Sequence, residues 1–93
     1  MIQSFKDKFT EKVWNQTVSK SIPIEVQKVG LRKLIMLNSS IDVNDLRIPP
    51  SNHLEKLKGN REGKYSIRIN DQWRICFRWE NGNAFEVEIV DYH

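Results

Sequence analysis

One cysteine, Cys76, is all that 93 residues contain, so no disulfide forms within the chain and a reducing compartment suits it. Two histidines, His53 and His93, and no Cys-x-x-Cys leave no spacing that reads as a metal site. None of the four glycines falls in a phosphate-cradling loop. Strands do not alternate with helices in the βαβ manner, which disfavours a dinucleotide fold. No apolar run reaches the length of a signal-peptide core or a membrane span, so a cytoplasmic protein without a membrane partner is expected. The length leaves room for a single domain, residues 1–93, and there are no repeats or low-complexity tracts.

What is present supports a small globular core. Residues are 39% apolar, with three tryptophans and four phenylalanines. The segment from Asn52 to His93 organises the rest. Tyr65-Ser66-Ile67-Arg68-Ile69, Trp73 to Trp79 and Phe85 to Ile89 each carry apolar residues at odd positions, the period of strands with one buried face. A three-residue loop at Asn70-Asp71-Gln72 sets Ile69 opposite Trp73 and Ile67 opposite Ile75. A one-residue slip would turn every side chain over. The same parity at Asn81-Gly82-Asn83 predicts Trp79 across from Phe85 and Phe77 across from Val87, with a glycine bulge as the device.

That register places Arg68 opposite Arg74 on the outer face, where like charges are unfavourable. No carboxylate lies between them in the same strands. A planar fork of donors matches phosphate oxygens, so an anionic ligand is expected, against the plainer reading of a solvated face helped by Glu86 or Glu88. Between Asn52 and Arg78 there are seven cations (Lys56, Lys58, Arg61, Lys64, Arg68, Arg74 and Arg78) and three acids (Glu55, Glu62 and Asp71), a net +4. The whole chain nets +3, so the remainder nets −1 and the positive charge is concentrated here. Such a footprint suits nucleic acid or another polyanion. Cys76 shares the phase of Arg74 and Arg78, and no His or Asp spacing marks it as reactive, so it reads as structural.

The first half reads as helical cover for the sheet. Met1 to Ser4 suits an edge strand, and Ser4 or Asp7 a helix cap. Phe5, Phe9 and Val13, beside Trp14, define an apolar side on the first helix. A second helix follows Pro23, with Val26, Val29, Leu31, Leu34, Ile35 and Leu37 as its stripe and Lys28, Arg32 and Lys33 opposite. A connector then holds a turn capped by Asp42 and the Pro49-Pro50 break. Asn52 to Gly59 reads as a short strand or extended arm anchored by Leu54 and Leu57. The fold class is α+β: two N-terminal helices packed on a twisted antiparallel sheet of three to four strands.

The chain ends on Asp91-Tyr92-His93, three groups able to move protons, directly after a strand. By strict alternation Asp91 and His93 share one phase and Tyr92 the other, so a bend or bulge is expected if all three are to meet.

Leu57-Lys58-Gly59, the run Tyr65 to Ile75 and Val87-Glu88-Ile89-Val90-Asp91-Tyr92-His93 resemble the HigB toxins of the RelE/ParE superfamily of bacterial toxin–antitoxin systems. Pro49-Pro50-Ser51-Asn52-His53-Leu54-Glu55 is similar as well, so the resemblance spans essentially the whole chain. It implies a microbial-RNase-like RelE/ParE fold and a ribosome-dependent endoribonuclease that cuts mRNA in the A site of the small ribosomal subunit. It implies no metal and no other cofactor. The implied partner is a HigA-type helix-turn-helix antitoxin, through which alone the toxin would meet operator DNA. Carried onto this sequence, His93, Asp91, Tyr92, Lys58 and Arg74 match positions used in catalysis, and Arg68, Lys56, Arg61 and Arg78 are expected to bind RNA. Lys28, Arg32, Lys33, Arg47 and Arg61 are ribosomal-RNA contacts by charge alone.

Three rival readings keep the fold and change the activity. A ParE-like toxin would inhibit DNA gyrase without cleaving anything, although that group lacks the Asp-Tyr-His ending. A plain nucleic-acid-binding module needs only the basic sheet, and its binding would be salt-dependent without cleavage. A third possibility is a chain that has lost its activity and only binds the antitoxin.

Overall fold

A computed structural model describes residues 1–17, 22–59 and 63–91. Its sheet has four antiparallel strands in sequence order: β1 (Glu55–Lys56), β2 (Lys64–Arg68), β3 (Trp73–Glu80) and β4 (Asn83–Asp91). The β2–β3 register agrees with the alternation in the sequence. Ile67 pairs with Ile75, and Arg68 faces Arg74. Asn70 Oδ1 accepts from the backbone N–H of Gln72 and Trp73 at 2.9 and 2.8 Å, which closes the loop.

The second hairpin departs from expectation. Its loop is the two-residue Asn81-Gly82, with φ of 52° and 78°, and Glu80 pairs with Asn83. Asn-Gly suits this tight turn because both residues tolerate the left-handed region and the twist matches the strands. Near the turn, therefore, Trp79 pairs with Ala84 and Arg78 with Phe85. The parity is restored further along by a bulge between Cys76 and Arg78, where Phe77 stands opposite both Glu86 and Val87. Glu86 takes φ 52° there. Beyond it Ile75 pairs with Ile89, the phase expected for the buried face. Phe85, expected inward, instead lies half-buried on the outer face, and Ala84 takes the inward place.

The N-terminal segment supplies the edge. Ile2 and Phe5 make parallel bridges to Ala84 and Val87. The bulge falls between them, and the Glu86 N–H that leaves the ladder donates to Ser4 Oγ at 2.9 Å. Asp7 then caps α1 (Lys8–Trp14), accepting from the Thr10 N–H at 2.8 Å. The buried side of α1 is Thr10 and Val13, not Phe9, which is 46% exposed. The reason is local: Phe5 belongs to the edge segment before the helix begins, so the helical spacing does not include it. Thr10 Oγ1 accepts the Ile89 N–H at 2.9 Å and ties α1 to β4.

Helix α2 (Ile24–Ser39) lies on the inner face of the sheet. Val26, Leu34 and Leu37 are buried there with Ile67, Ile75, Phe77, Val87 and Ile89. Each such side chain contributes about 1.5–3 kcal/mol on burial. Gly30 allows the close approach, since a Cβ at that position would stand 3.3 Å from Ile89 Cδ1. Two expectations for this helix fail. Ile35 is 53% exposed, and Lys33 is buried at 5% exposure. Lys33 is accommodated because its ammonium donates to Asn52 Oδ1 in the connector.

The connector holds two short 3-10 turns, Val43–Arg47 and Pro50–Asn52. Asp42 caps the first reciprocally with Asp45, as its sequence suggests. Those backbone donations from Asp42 and Ile41 hold the Asp45 carboxyl below its usual pKa. No helix among the described residues is long and apolar enough to cross a membrane.

Candidate functional site

The outer face of the sheet is a lattice of three rows set by the register. Arg68, Arg74 and Val90 form one row. Ser66, Cys76 and Glu88 form the next, and β1 adds Glu55 beside Ser66. Lys64, Arg78 and Phe85 form the third, with the Leu57 N–H donating to the Lys64 carbonyl at 2.9 Å.

Arg74 is the most constrained member. Its side chain is 11% exposed. Nε donates to Ser66 Oγ at 2.9 Å and Nη2 to the His53 carbonyl at 2.7 Å, with Glu55 Oε2 3.9 Å from Nη2. The acceptors come from β2, from the end of the second 3-10 turn and from β1, so three separate pieces of backbone aim one guanidinium. The like-charge opposition of Arg68 and Arg74 is answered within the protein, because Arg68 pairs with Asp71 from the hairpin loop. Glu86, in the bulge, places Oε2 3.5 Å from Lys64 and 4.0 Å from Arg78. Arg78 also bonds Glu80 and lies 4.6 Å over the Phe85 ring. The carboxylates that meet these cations come from the hairpin loop, β1, the end of β3 and, as the sequence suggests for Glu86, the neighbouring strand β4.

Beside this lattice lies a cavity of about 290 Å³, lined by Lys6, Leu57, Lys64, Cys76, Glu88, Val90 and Asp91. Lys6 reaches it from the N-terminal segment and pairs with Glu88 at 3.5 Å. Cys76 is buried rather than solvent-facing, in the lining of this cavity with Lys6 and Leu57. Asp91 remains in the ladder opposite Trp73, is exposed, and accepts from Gln72 Nε2 at 3.1 Å. Lys56 and Lys58 are exposed on and just after β1 and line an open hollow with Leu57 and Gly59. Leu57 borders both depressions. Arg61, Tyr92, His93 and the expected bend lie outside the described residues.

The lattice thus brings Arg68, Arg74 and Arg78 onto one face, with Asp91 at the cavity beside it and Lys56 and Lys58 at its β1 edge. Sequence reasoning missed Ser66, Glu55 and Lys6 as neighbours of the site, while Lys64 belongs to the basic segment it singled out and Glu88 to the carboxylates it placed on the next strand. Ser66 and Glu88 were legible as outward-phase residues. Lys6 and Glu55 gave no signal, because their places depend on chain segments docking from outside the three recognised strands. Among the described residues no group of three or more His, Cys, Asp and Glu side chains is placed to hold a metal ion.

Comparison with known proteins decides the family. A family model described as the RelE-like toxin of the type II toxin–antitoxin system HigB matches residues 3–93. The chain belongs to the HigB toxin family. It is 40% identical over 85 residues to Toxin HigB-1 of Vibrio cholerae, covering 90% of each chain. It is 33% identical over 94 residues to the Endoribonuclease HigB of Proteus vulgaris, covering 100% of both. Among solved structures, YoeB in the YoeB-YefM complex from Staphylococcus aureus superposes with a TM-score of 0.63 at 22% identity, covering 100% of this chain and 95% of that one. YafQ from E. coli gives 0.59 at 12% identity, covering 98% and 91%. These two likenesses establish the fold, the two helices and antiparallel sheet of RelE-like toxins. A HigB toxin has an antitoxin as its partner by the definition of the family.

Proposed function

We propose that this HigB toxin is a ribosome-dependent endoribonuclease that cleaves mRNA in the ribosomal A site and is neutralised by a HigA-type helix-turn-helix antitoxin. The observation that carries the proposal is the full-length match to a relative named as an endoribonuclease. The geometry supports it, with an aimed guanidinium, Arg74, next to a cavity that reaches Asp91. A gyrase-directed, ParE-like toxin is not favoured, because the family match is to HigB and runs through the Asp-Tyr-His ending.

The chemistry is attack by the 2′-hydroxyl oxygen on the adjacent phosphorus. The new O2′–P bond forms as the P–O5′ bond breaks, leaving a 2′,3′-cyclic phosphate and a 5′-hydroxyl. One proton leaves the 2′-oxygen and one is delivered to the 5′-oxygen. His93 and Asp91 carry these two transfers. Arg74 and Lys58 stabilise the charge that develops on the phosphorane, the term that usually contributes most to such catalysis. Tyr92 stacks on or positions a base. Arg68, Arg78, Lys56 and Arg61 hold the flanking backbone, and Lys6 and Lys64 join them as cations at the cavity.

The test is primer extension on an mRNA in a purified translation reaction, comparing the wild-type protein with His93→Ala. Ribosome-dependent cuts within codons that weaken strongly in the variant are expected. Growth arrest in cells without any cut would overturn the nuclease reading and favour inhibition of gyrase.

A further inference from the structure

Lys33 and Asn52 form a buried polar pair that the cleavage chemistry does not use. Lys33 projects from α2, on the inner side of the sheet, and Asn52 has no solvent exposure at all. The Lys33 ammonium donates to Asn52 Oδ1, and among the described residues it makes no ion pair with a carboxylate. Burial, reinforced by Arg32 and Arg68 nearby, pushes its pKa below the ordinary lysine value. An ammonium in such a place is costly unless it is hydrogen-bonded, so the bond to Asn52 is one the fold must keep. Asn52 completes its own bonding by donating from Nδ2 to the Leu46 carbonyl at 3.0 Å.

The next residue links this pair to the site. His53 adopts a left-handed conformation with φ 43°, and its backbone N–H bonds the Pro50 carbonyl at 3.0 Å. Its own carbonyl accepts from Arg74 Nη2 at 2.7 Å. The carbonyl direction is set by the turn, and the turn is anchored by Asn52 between Lys33 and Leu46. We infer that Asn52 and Lys33 are positioning residues that aim the Arg74 guanidinium through the His53 carbonyl, connecting the helix behind the sheet to the outer face. The inference rests on the proposed function only in taking Arg74 to act on RNA. Displacing a catalytic group by about an ångström can cost on the order of a hundredfold in rate.

Two readouts test it. The first is the Arg74 Nη2–H resonance in low-temperature proton–nitrogen spectra, which reports the bond to the His53 carbonyl directly and needs no activity. Asn52→Ala is expected to move that signal toward its solvent-averaged position. The second is the cleavage rate in the translation reaction. Asn52→Ala is expected to lower kcat about ten- to a hundredfold with KM little changed. In an Arg74→Ala background the same substitution is expected to cost less than about twofold, because residues acting through one group are not additive. Lys33→Met serves as the second variant, with the same expectations, should thermal melts show Asn52→Ala unfolded. Losses that multiply in the double variant, or an Arg74 signal that stays in place, would overturn the inference. An Arg74→Ala protein that cleaves at the wild-type rate would instead remove Arg74 from the proposed site, and the resonance would still decide whether Asn52 aims it.

Discussion

On the inner face of the sheet, Ile67, Ile75, Phe77, Val87 and Ile89 close against α2, and their contribution is non-directional burial. On the outer face, alternate residues of the same strands carry Lys64, Arg68, Arg74, Arg78 and Glu88, and each is placed by an ion pair or hydrogen bond to a particular partner. The inner face tolerates apolar side chains of suitable volume but is sensitive to cavities. The outer face contributes less stability, since exposed pairs are worth little, but its geometry depends on individual atoms. On the proposed function, stability and activity fall on opposite sides of one set of strands.

The largest effect separating the two faces is expected from Phe77→Ala. Phe77 is 1% exposed and stacks with Tyr65 at 6.1 Å, so about 3–5 kcal/mol of stability should be lost in denaturant melts. Any activity that survives folding at low temperature should be close to wild type. Arg74→Ala should do the reverse. Cleavage is expected to fall on the order of a hundredfold. Stability should fall by only about 1–2 kcal/mol, because Ser66 Oγ loses its bonded donor. If Arg74→Ala unfolded the protein outright, the division of labour between the faces would be wrong.

How much of this was legible follows the range of each interaction. The alternation in residues 65–69 and 73–79 gave the β2–β3 register, including Arg68 opposite Arg74, because a pleat is local and a short loop allows few solutions. The second hairpin differs from its sequence reading at the turn and agrees with it beyond the bulge. The Asn81-Gly82 signal for a two-residue turn is in the sequence, but the compensating bulge at Glu86 depends on Ser4, 82 residues away. A lysine among polar neighbours usually faces solvent, and nothing near Lys33 in sequence reveals Asn52 as its acceptor.

Smaller effects sharpen the comparison. Gly82→Ala should cost about 1 kcal/mol in a thermal melt, since φ is 78° and an added Cβ would meet the Ile41 carbonyl oxygen at 3.4 Å. Lys33 gives a pH signature on the inner side. Its folded pKa lies below the ordinary 10.5, so between the two values the unfolded chain binds the extra proton. Stability therefore rises with pH through that window. Lys33→Met should flatten the rise in melts taken across alkaline pH; an unchanged slope would assign it to other groups. The smallest effect is expected from Lys6→Ala. Lys6 is 53% exposed and pairs with Glu88 at 3.5 Å, so stability should change by less than about 0.5 kcal/mol.

By itself the sequence determined the α+β class, the inward and outward sets of the central strands, and membership in a toxin family through motifs that run to the last residue. These are properties of local periodicity and of residue identity, which need no knowledge of the fold. Tertiary structure alone decided which carboxylate meets which cation, that Phe85 faces outward beneath Arg78, that Lys6 borders the cavity, and that a lysine of the rear helix anchors the turn whose carbonyl holds Arg74. Each of these joins segments distant in sequence, and such contacts form only once burial of the inner face has brought the backbone together.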